Sequence, residues 1–409
     1  MQTTILRSTR VLVEKTVTPT DIVLVGGRIR EIAAHGSFMG ETIDLGSLLV
    51  LPGLVDLHSD AVEKEIEPRP GATFPIRASL VELDKKLAMA GITTMFHAVA
   101  FNDESITSSR GTEMAAAIIR ETGEANQNLL GVDNFIHARF EITSFSSAPV
   151  IRELIAKGHV HMLSIMDHTP GQGQFKSIET WKRFHLPTYD LSESRAEAII
   201  RKKLADQELA YNRVRSLLEF GHRHGLVLLS HDDDRPRKID LIREMGITVS
   251  EFPLDVDVAV YAREQGMTTG MGAPNVVRGK SQSGNISARE LIREECCDFL
   301  CSDYHPSSLL QAAFVLHREM DLDLAAAMAM VSSFPADIAG LTDRGRIAPG
   351  LLADLTVVDD RDVPRVVATF KTGEMIYSSR TCGRRQSACP NPAGQTPEWN
   401  HHPYPGQAL

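Results

Sequence analysis

Between residues 51 and 342 the chain repeats one unit: a short apolar run of strand character, a turn, then a helical pattern. Such alternation indicates βα units whose strands lie parallel in one sheet. Strand-like runs end near His58, His97, Glu141, Ile165, His231, Phe252, Gly272 and Asp303, which is about eight, the number that closes a (β/α)8 barrel. The competing topology is a doubly wound open sheet. It is disfavoured because no Gly-rich turn follows the first of these strands. One repeat can be read closely. Ser79-x-x-Glu82 predicts a capping box opening a helix that carries Leu80, Leu83, Leu87 and Ala90 on one face and stops at Gly91.

Both ends of the chain read differently. Asp21–Val25, the pair Gly26-Gly27 and Arg28–Ile32 predict a hairpin. Ala353–Asp359, Val366–Phe370 and Glu374–Tyr377 predict further short strands with tight turns. The expected architecture is α/β: a TIM (β/α)8 barrel over 51–344, with some distortion allowed for, and a small β-sandwich assembled from 1–50 and 345–378. The stretch 379–409, rich in Pro, Gly, Asn, Gln and Ser, is expected to be poorly ordered. A helix over roughly 196–224 has a Glu/Lys/Arg-rich face that reads as solvated.

The net charge of −10 argues against a nucleic-acid or anionic-membrane partner, though local cations can still serve an anionic small molecule. The N-terminal residues show no basic-then-apolar signal pattern, and no apolar run is long enough to span a bilayer, so a cytoplasmic protein is expected. The five cysteines, Cys296, Cys297, Cys301, Cys382 and Cys389, are an odd number clustered late, and predict reduced thiols.

Barrel enzymes carry their chemistry at the C-terminal ends of the strands. In this chain those ends supply metal-ligand types: His58 and Asp60 at i, i+2 spacing, His97, Glu141, Asp167-His168, His231 followed by Asp232-Asp233-Asp234, and Asp303. Any one of them has an ordinary explanation as a packed histidine, a turn former or a helix cap. Their recurrence at successive strand ends points to a metal. An imidazole–carboxylate mixture suits zinc foremost, with manganese or iron as alternatives.

The string Leu51-Pro52-Gly53-Leu54-Val55-Asp56-Leu57-His58, with Gly345-x-Ile347-Ala348-x-Gly350-x-x-Ala353-Asp354-Leu355, resembles the amidohydrolase superfamily over nearly the whole chain up to about residue 378. More specific strings resemble its phosphonate-metabolism branch. These are His58-Ser59-Asp60, Glu67-Pro68-Arg69-Pro70-Gly71, Met166-Asp167-His168-Thr169-Pro170-Gly171-Gln172, Ser230-His231-Asp232-Asp233, Met271–Gly279 and Ser302-Asp303-Tyr304.

The resemblance implies two divalent metal ions. His58 and Asp60 would stand where the superfamily usually has His-x-His. Glu141 would replace the carboxylated lysine that bridges the metals, and His168 and His231 would complete the second ion. Asp303 would ligate the first ion and accept the proton of the nucleophile. Asp60 departs from the usual pattern, either as a hard ligand or as a position that leaves the first metal one donor short. The implied reaction is attack of a metal-bound hydroxide on the 5-triphosphate of ribose 1-methylphosphonate 5-triphosphate, releasing pyrophosphate and the 5-phosphate. So anionic a substrate calls for cations. Arg69 and Arg278, in the distinctive strings, are the favoured ones, with Lys176 and Arg235 beside them. His97 is read as orienting a ligand or as a packed strand residue, Asp167 as supporting the ligand set, and His137 and His305 as structural or peripheral. A homo-oligomer acting on a small anionic molecule is expected. Two rival readings are an amidohydrolase that cleaves a C–N bond or a cyclic ester or amide, and a barrel that serves as a non-catalytic subunit.

Overall fold

A computed structural model describes residues 3–102, 111–171, 173, 177–189, 191–281 and 284–379. Sixteen strands are present among them: β1 (Thr3–Val13), β2 (Thr16–Val25), β3 (Arg28–Ala34), β4 (Thr42–Asp44), β5 (Leu49–Pro52), β6 (Leu54–Ser59), β7 (Ile92–Phe101), β8 (Asp133–Glu141), β9 (Met162–Met166), β10 (Val227–His231), β11 (Val249–Glu251), β12 (Thr268–Gly272), β13 (Phe299–Cys301), β14 (Leu355–Asp359), β15 (Arg365–Lys371) and β16 (Glu374–Ser378). They form two sheets.

β6 to β13 pair in chain order, every pair parallel. The ends of this sheet meet through Asp303, just after β13. Its N–H donates to the His58 carbonyl at 2.9 Å, and its own carbonyl accepts from Asp60 N–H at 2.7 Å. Eight strands closing in this way make a TIM-like barrel, as the strand count predicts. Helices between the strands cover its outer face. In Ile76–Met89, for example, Leu80, Leu83 and Leu87 are buried against the barrel.

That helix corrects one expectation. It starts at Ile76 behind Pro75, not at Ser79. Pro75 presets φ for the helix entry. Ser79 therefore lies one turn inside, where its hydroxyl donates to the Glu65 carbonyl at 3.1 Å, and Glu82 pairs with Lys85.

The interior of the barrel is layered. Val55, Leu57, Phe96, Met162, Leu229, Val249, Phe299 and Cys301 fill the lower part as one apolar cluster. Residues two positions further along the same strands face the same interior, nearer the mouth. β12 contributes glycine there. A Cβ on Gly270 would overlap the Phe299 ring, so this glycine makes room for one of the two phenylalanines of the layer.

The second sheet joins both ends of the chain in the order β16-β15-β14-β5-β1-β2-β3, with β4 beside β1. The predicted hairpin is β2–β3, turning through Gly26 and Gly27, both at positive φ. Leu6, Ile22, Leu24 and Ile29 share a core with Ile347, Ala353, Leu355 and Phe370, so the two halves of the sheet pack on each other. β5 passes directly into β6 through Gly53, whose missing side chain leaves room for Thr93 and whose N–H donates to the Asp354 carbonyl. Asp354 and Asp133, the latter at the foot of β8, share the Lys371 ammonium at 2.8 Å each. The two sheets are thus joined at the base of the barrel, away from its mouth. No helix among the described residues is long and apolar enough to cross a membrane.

Gly270→Ala is expected to destabilise the protein by about 1–3 kcal/mol through overpacking against Phe299. A thermal melt at or above the parent value would show that this layer has slack.

Candidate active site at the barrel mouth

β8 brings three side chains to the site, His137, Arg139 and Glu141. Phe135, His137, Arg139 and Glu141 alternate with outward residues and rise through the barrel from its apolar floor to its rim. The same step of two lifts Val249 to Glu251 on β11, Leu229 to His231 on β10, and Cys301 to Asp303 past the end of β13. Three rim residues, Asp232, Phe252 and Asp303, have left-handed backbone with φ between 54° and 57°. Each still donates its N–H to the neighbouring strand, to Glu251, Gly270 and His58 respectively. Sparsely populated backbone of this kind persists where the surroundings over-determine it, and it concentrates at functional sites.

Two groups of side chains converge there. In the deeper one, His58 Nδ1 lies 3.2 Å from both Glu251 carboxylate oxygens, and His137 Nε2 is 3.8 Å from Glu251 Oε2. His137 Nδ1 is held by the Leu57 carbonyl at 2.9 Å. Burial holds the His58 imidazole well below its ordinary pKa and brings His137 down to about 4. Both rings are therefore neutral at pH 7. A neutral imidazole held by a carboxylate at one nitrogen presents the other as a ligand lone pair.

Nearer the rim, Glu141 Oε2 faces His168 Nδ1 at 2.9 Å, and Asp232 Oδ2 faces His231 Nδ1 at 3.1 Å and His168 Nε2 at 4.0 Å. Glu141 Oε2, His231 Nδ1 and Asp232 Oδ2 are buried yet make no hydrogen bond of acceptable angle. The other Glu141 oxygen, Oε1, is occupied: Lys203 Nζ donates to it at 2.9 Å and also reaches Thr143 Oγ1 at 3.2 Å. Burial pushes the Glu141 carboxyl up, but Lys203 and His168 outweigh it and hold the group ionised far below the usual range. Asp303 behaves oppositely. Burial, then the neighbouring Asp60 charge, raises it to about 7.

The donor set tests well against a divalent metal. His168, His231 and Asp232 offer ligand atoms within 4.8 Å of one another, as do His58, His137 and Glu251. Buried acceptor atoms that face one another without a proton between them suit a shared cation.

The structure brings His58, Asp60, Glu141, His168, His231 and Asp303 to one mouth. Asp60 sits at the start of the helix Ala61–Ile66, 3.3 Å from Lys64. Asp167 lies beneath His168, accepting from Thr169 N–H and from the Tyr211 hydroxyl. His97 lies elsewhere: it is buried and bonded through Nε2 to Asn134, which contacts Asn126 on the helix-facing side of β8. Arg69, Arg235 and Arg278 are exposed, and Arg235 pairs with Asp234 at 2.6 Å. Lys176 is outside the described residues.

Four residues here have no site reading from sequence: Glu251, Arg139, Lys203 and His137, the last read as structural or peripheral. Asp232 stands in the acidic run after His231, which offers ligand and turn types alike. Lys203 was assigned to a solvated face, yet it is only 4% exposed and lies against Glu141. The available signal was the period of two on β8, which places His137, Arg139 and Glu141 on one face.

Similarity to known proteins agrees with this geometry. The chain is 31% identical, over 363 residues, to alpha-D-ribose 1-methylphosphonate 5-triphosphate diphosphatase of Escherichia coli (strain K12), an alignment covering 88% of this chain and 96% of that one. Residues 209–379 match the Amidohydrolase family. The chain belongs to the amidohydrolase superfamily. Its members are generally metal-dependent; this chain is a hydrolase, and its mouth has His, Glu and Asp groups that could bind metal. Two solved structures share the fold at low identity. The 5-methylcytosine deaminase of Klebsiella pneumoniae has a TM-score of 0.63 at 16% identity, over 94% of this chain and 100% of that one. The N-acetyl-D-glucosamine-6-phosphate deacetylase of Mycobacterium smegmatis has a TM-score of 0.60 at 16% identity, over 91% and 100%.

Two outcomes are expected for chelator-treated protein. Lys203→Met leaves Glu141 buried without its cation and should cost about 3–5 kcal/mol in denaturant unfolding, with part of the loss recovered on adding divalent metal. An unchanged midpoint would mean that Glu141 does not depend on Lys203. The second outcome concerns Asp303. Its folded pKa of about 7 lies above the ordinary 3.8, so the native state binds the extra proton. Its contribution is complete below pH 4 and is lost as pH rises towards 7. Asp303→Asn should therefore gain stability over the parent between pH 4 and 7, with no further gain above. Parallel melting curves across that range would contradict the assignment.

Proposed function

We propose that this chain is a metal-dependent diphosphatase that cleaves the 5-triphosphate of a ribose 1-methylphosphonate to the 5-phosphate and pyrophosphate. The observation that carries the reading is the 31% identity across 88% of the chain to the Escherichia coli enzyme of that name. A mouth of converging imidazoles and carboxylates supports it.

In this reading His58, Asp60 and Asp303 hold one divalent ion, and Glu141, His168 and His231 hold another, with Asp232 as a further donor. Zinc is the foremost candidate. Held by these residues, divalent ions would supply Lewis-acid polarisation of a phosphoryl oxygen and a more acidic water at neutral pH. The protein's own groups do the rest. Glu251 and the Leu57 carbonyl fix the orientations of His58 and His137. Lys203 keeps Glu141 ionised and turns its other oxygen, Oε2, towards His168. Asp303, whose protonated form is stabilised by burial, takes the proton from the attacking water. A bond forms from the water oxygen to the α-phosphorus, the α–β bridging P–O bond breaks, and pyrophosphate leaves with those electrons.

The exposure of Arg69 and Arg278 favours a second reading, cleavage of a C–N or cyclic ester or amide bond on the same scaffold. Product analysis separates the two. The metal-loaded protein is incubated with a panel of nucleoside and sugar triphosphates that includes the ribose methylphosphonate. Stoichiometric pyrophosphate is expected, with turnover abolished in His231→Ala. Release of orthophosphate alone, or turnover only on amides and lactones, would overturn the proposal. Absence of bound metal together with turnover unaffected by chelation would also sink it.

A further inference from the structure

The mouth holds a cation that neither the metal-ligand set nor the exposed arginines account for. Arg139 projects inward from β8 between His137 and Glu141 and is 7% exposed. A guanidinium is always charged, and an isolated buried charge is costly unless something pairs with it. Yet Arg139 makes no ion pair with a carboxylate among the described residues. Among the described residues its nearest polar neighbour is His231, whose Nε2 lies 3.3 Å from Nη2, and its buried Nε–H has no partner there. Its charge is nevertheless felt across the whole mouth, at Asp303, Glu251, His58 and His137.

An arginine in this state is half a binding site. Its Nε edge is one side of a planar fork that suits two oxygens of an oxyanion, and burial makes such a contact stronger than at the surface. The surrounding carboxylates cannot fill that role while they serve as ligands for cations. A small rigid anion entering from the mouth can. Resting on the diphosphatase reading, we propose that Arg139 binds the oxyanion of the scissile phosphoryl group and is a catalytic residue of this barrel. This places the decisive phosphate contact inside the barrel, while Arg69 and Arg278 are left at the exposed rim. It also explains why β8 carries a cation between two ligand-type side chains.

The rival role for Arg139 is mechanical: it holds His231 in place. Calorimetric titration of the metal-loaded protein with inorganic phosphate, pyrophosphate and acetate tells them apart when parent, Arg139→Lys and Arg139→Met are compared. The anion-site role predicts that Arg139→Met weakens phosphate and pyrophosphate binding by roughly tenfold to a hundredfold. Arg139→Lys should be intermediate, bound metal should stay at parent levels, and acetate should bind feebly throughout. With the triphosphate substrate, kcat should fall more than KM rises. Equal phosphate affinity in parent and Arg139→Met would overturn the proposal. So would loss of bound metal in both variants, or acetate binding as tight as phosphate.

Should Arg139→Met fail to fold, the conservative variant and side-chain NMR suffice. In the parent labelled with 15N-arginine, the Nε resonance that Arg139→Lys removes should shift on adding phosphate, and an unmoved resonance refutes the contact. The two proposals can fail separately. Phosphate binding through Arg139 without triphosphate cleavage keeps the anion site and discards the diphosphatase. Triphosphate cleavage at parental kcat and KM in Arg139→Met does the reverse.

Discussion

Two backbone hydrogen bonds at Asp303 hold the active end of this protein together. The Asp303 N–H reaches the His58 carbonyl, and the Asp303 carbonyl takes the Asp60 N–H. They join the last strand of the barrel to the first, and they do so at the residue proposed as the proton acceptor. Closure brings the carboxylates of Asp60 and Asp303 close enough for the Asp60 charge to raise the Asp303 proton affinity. Barrel closure and the electrostatics of the mouth are therefore one constraint. Asp56 supports it from below by accepting from the N–H groups of His58 and Ser302, one on each side of the seam.

The mouth is a place of unresolved charge, and that is its main physical property. Its lower layers are satisfied as a core should be, with Phe299 packed over Gly270. One step higher, buried nitrogens and oxygens face each other without hydrogen bonds, around the cations Lys203 and Arg139. An arrangement like this costs stability in isolation, because unpaired buried polar atoms forfeit their hydration. It is stable in a rigid barrel whose lower half and outer helices supply the compensating apolar burial. The terminal sheet bears on the opposite end, where Lys371 and Arg344 share Asp133. It secures the base without crowding the mouth.

Much of this was legible in the chain. The repeat of apolar run and helix gave the barrel, and the ligand types at strand ends located its mouth. Apart from His58, which reaches the mouth, the two superfamily strings have structural explanations. Gly53 lets β5 turn into β6 past Thr93, and Asp354 anchors Lys371 beside Asp133. Other features were hidden for specific reasons. Lys203 sits in a charge-rich helix, and nothing in its neighbours' identities marks it as the one lysine turned inward. Ser79 and Glu82 match a capping box by spacing, yet Pro75 had already started the helix. Arg69 and Arg278 lie in distinctive strings, yet the fold leaves both exposed.

The sequence by itself determined what local pattern can encode. That includes the strands and their order, the alternation that sends His137, Arg139 and Glu141 to one face of β8, the glycines where packing needs space, and membership of the superfamily. The tertiary structure decided which residues separated by tens or hundreds of positions share a dielectric and a partner. Lys203 meets Glu141 from 62 positions away, and Glu251 meets His58 from 193. Asp303 closes on His58 only when all eight strands are in register. Charge and proton affinity at the mouth depend on those encounters, and distance along the chain carries no information about them.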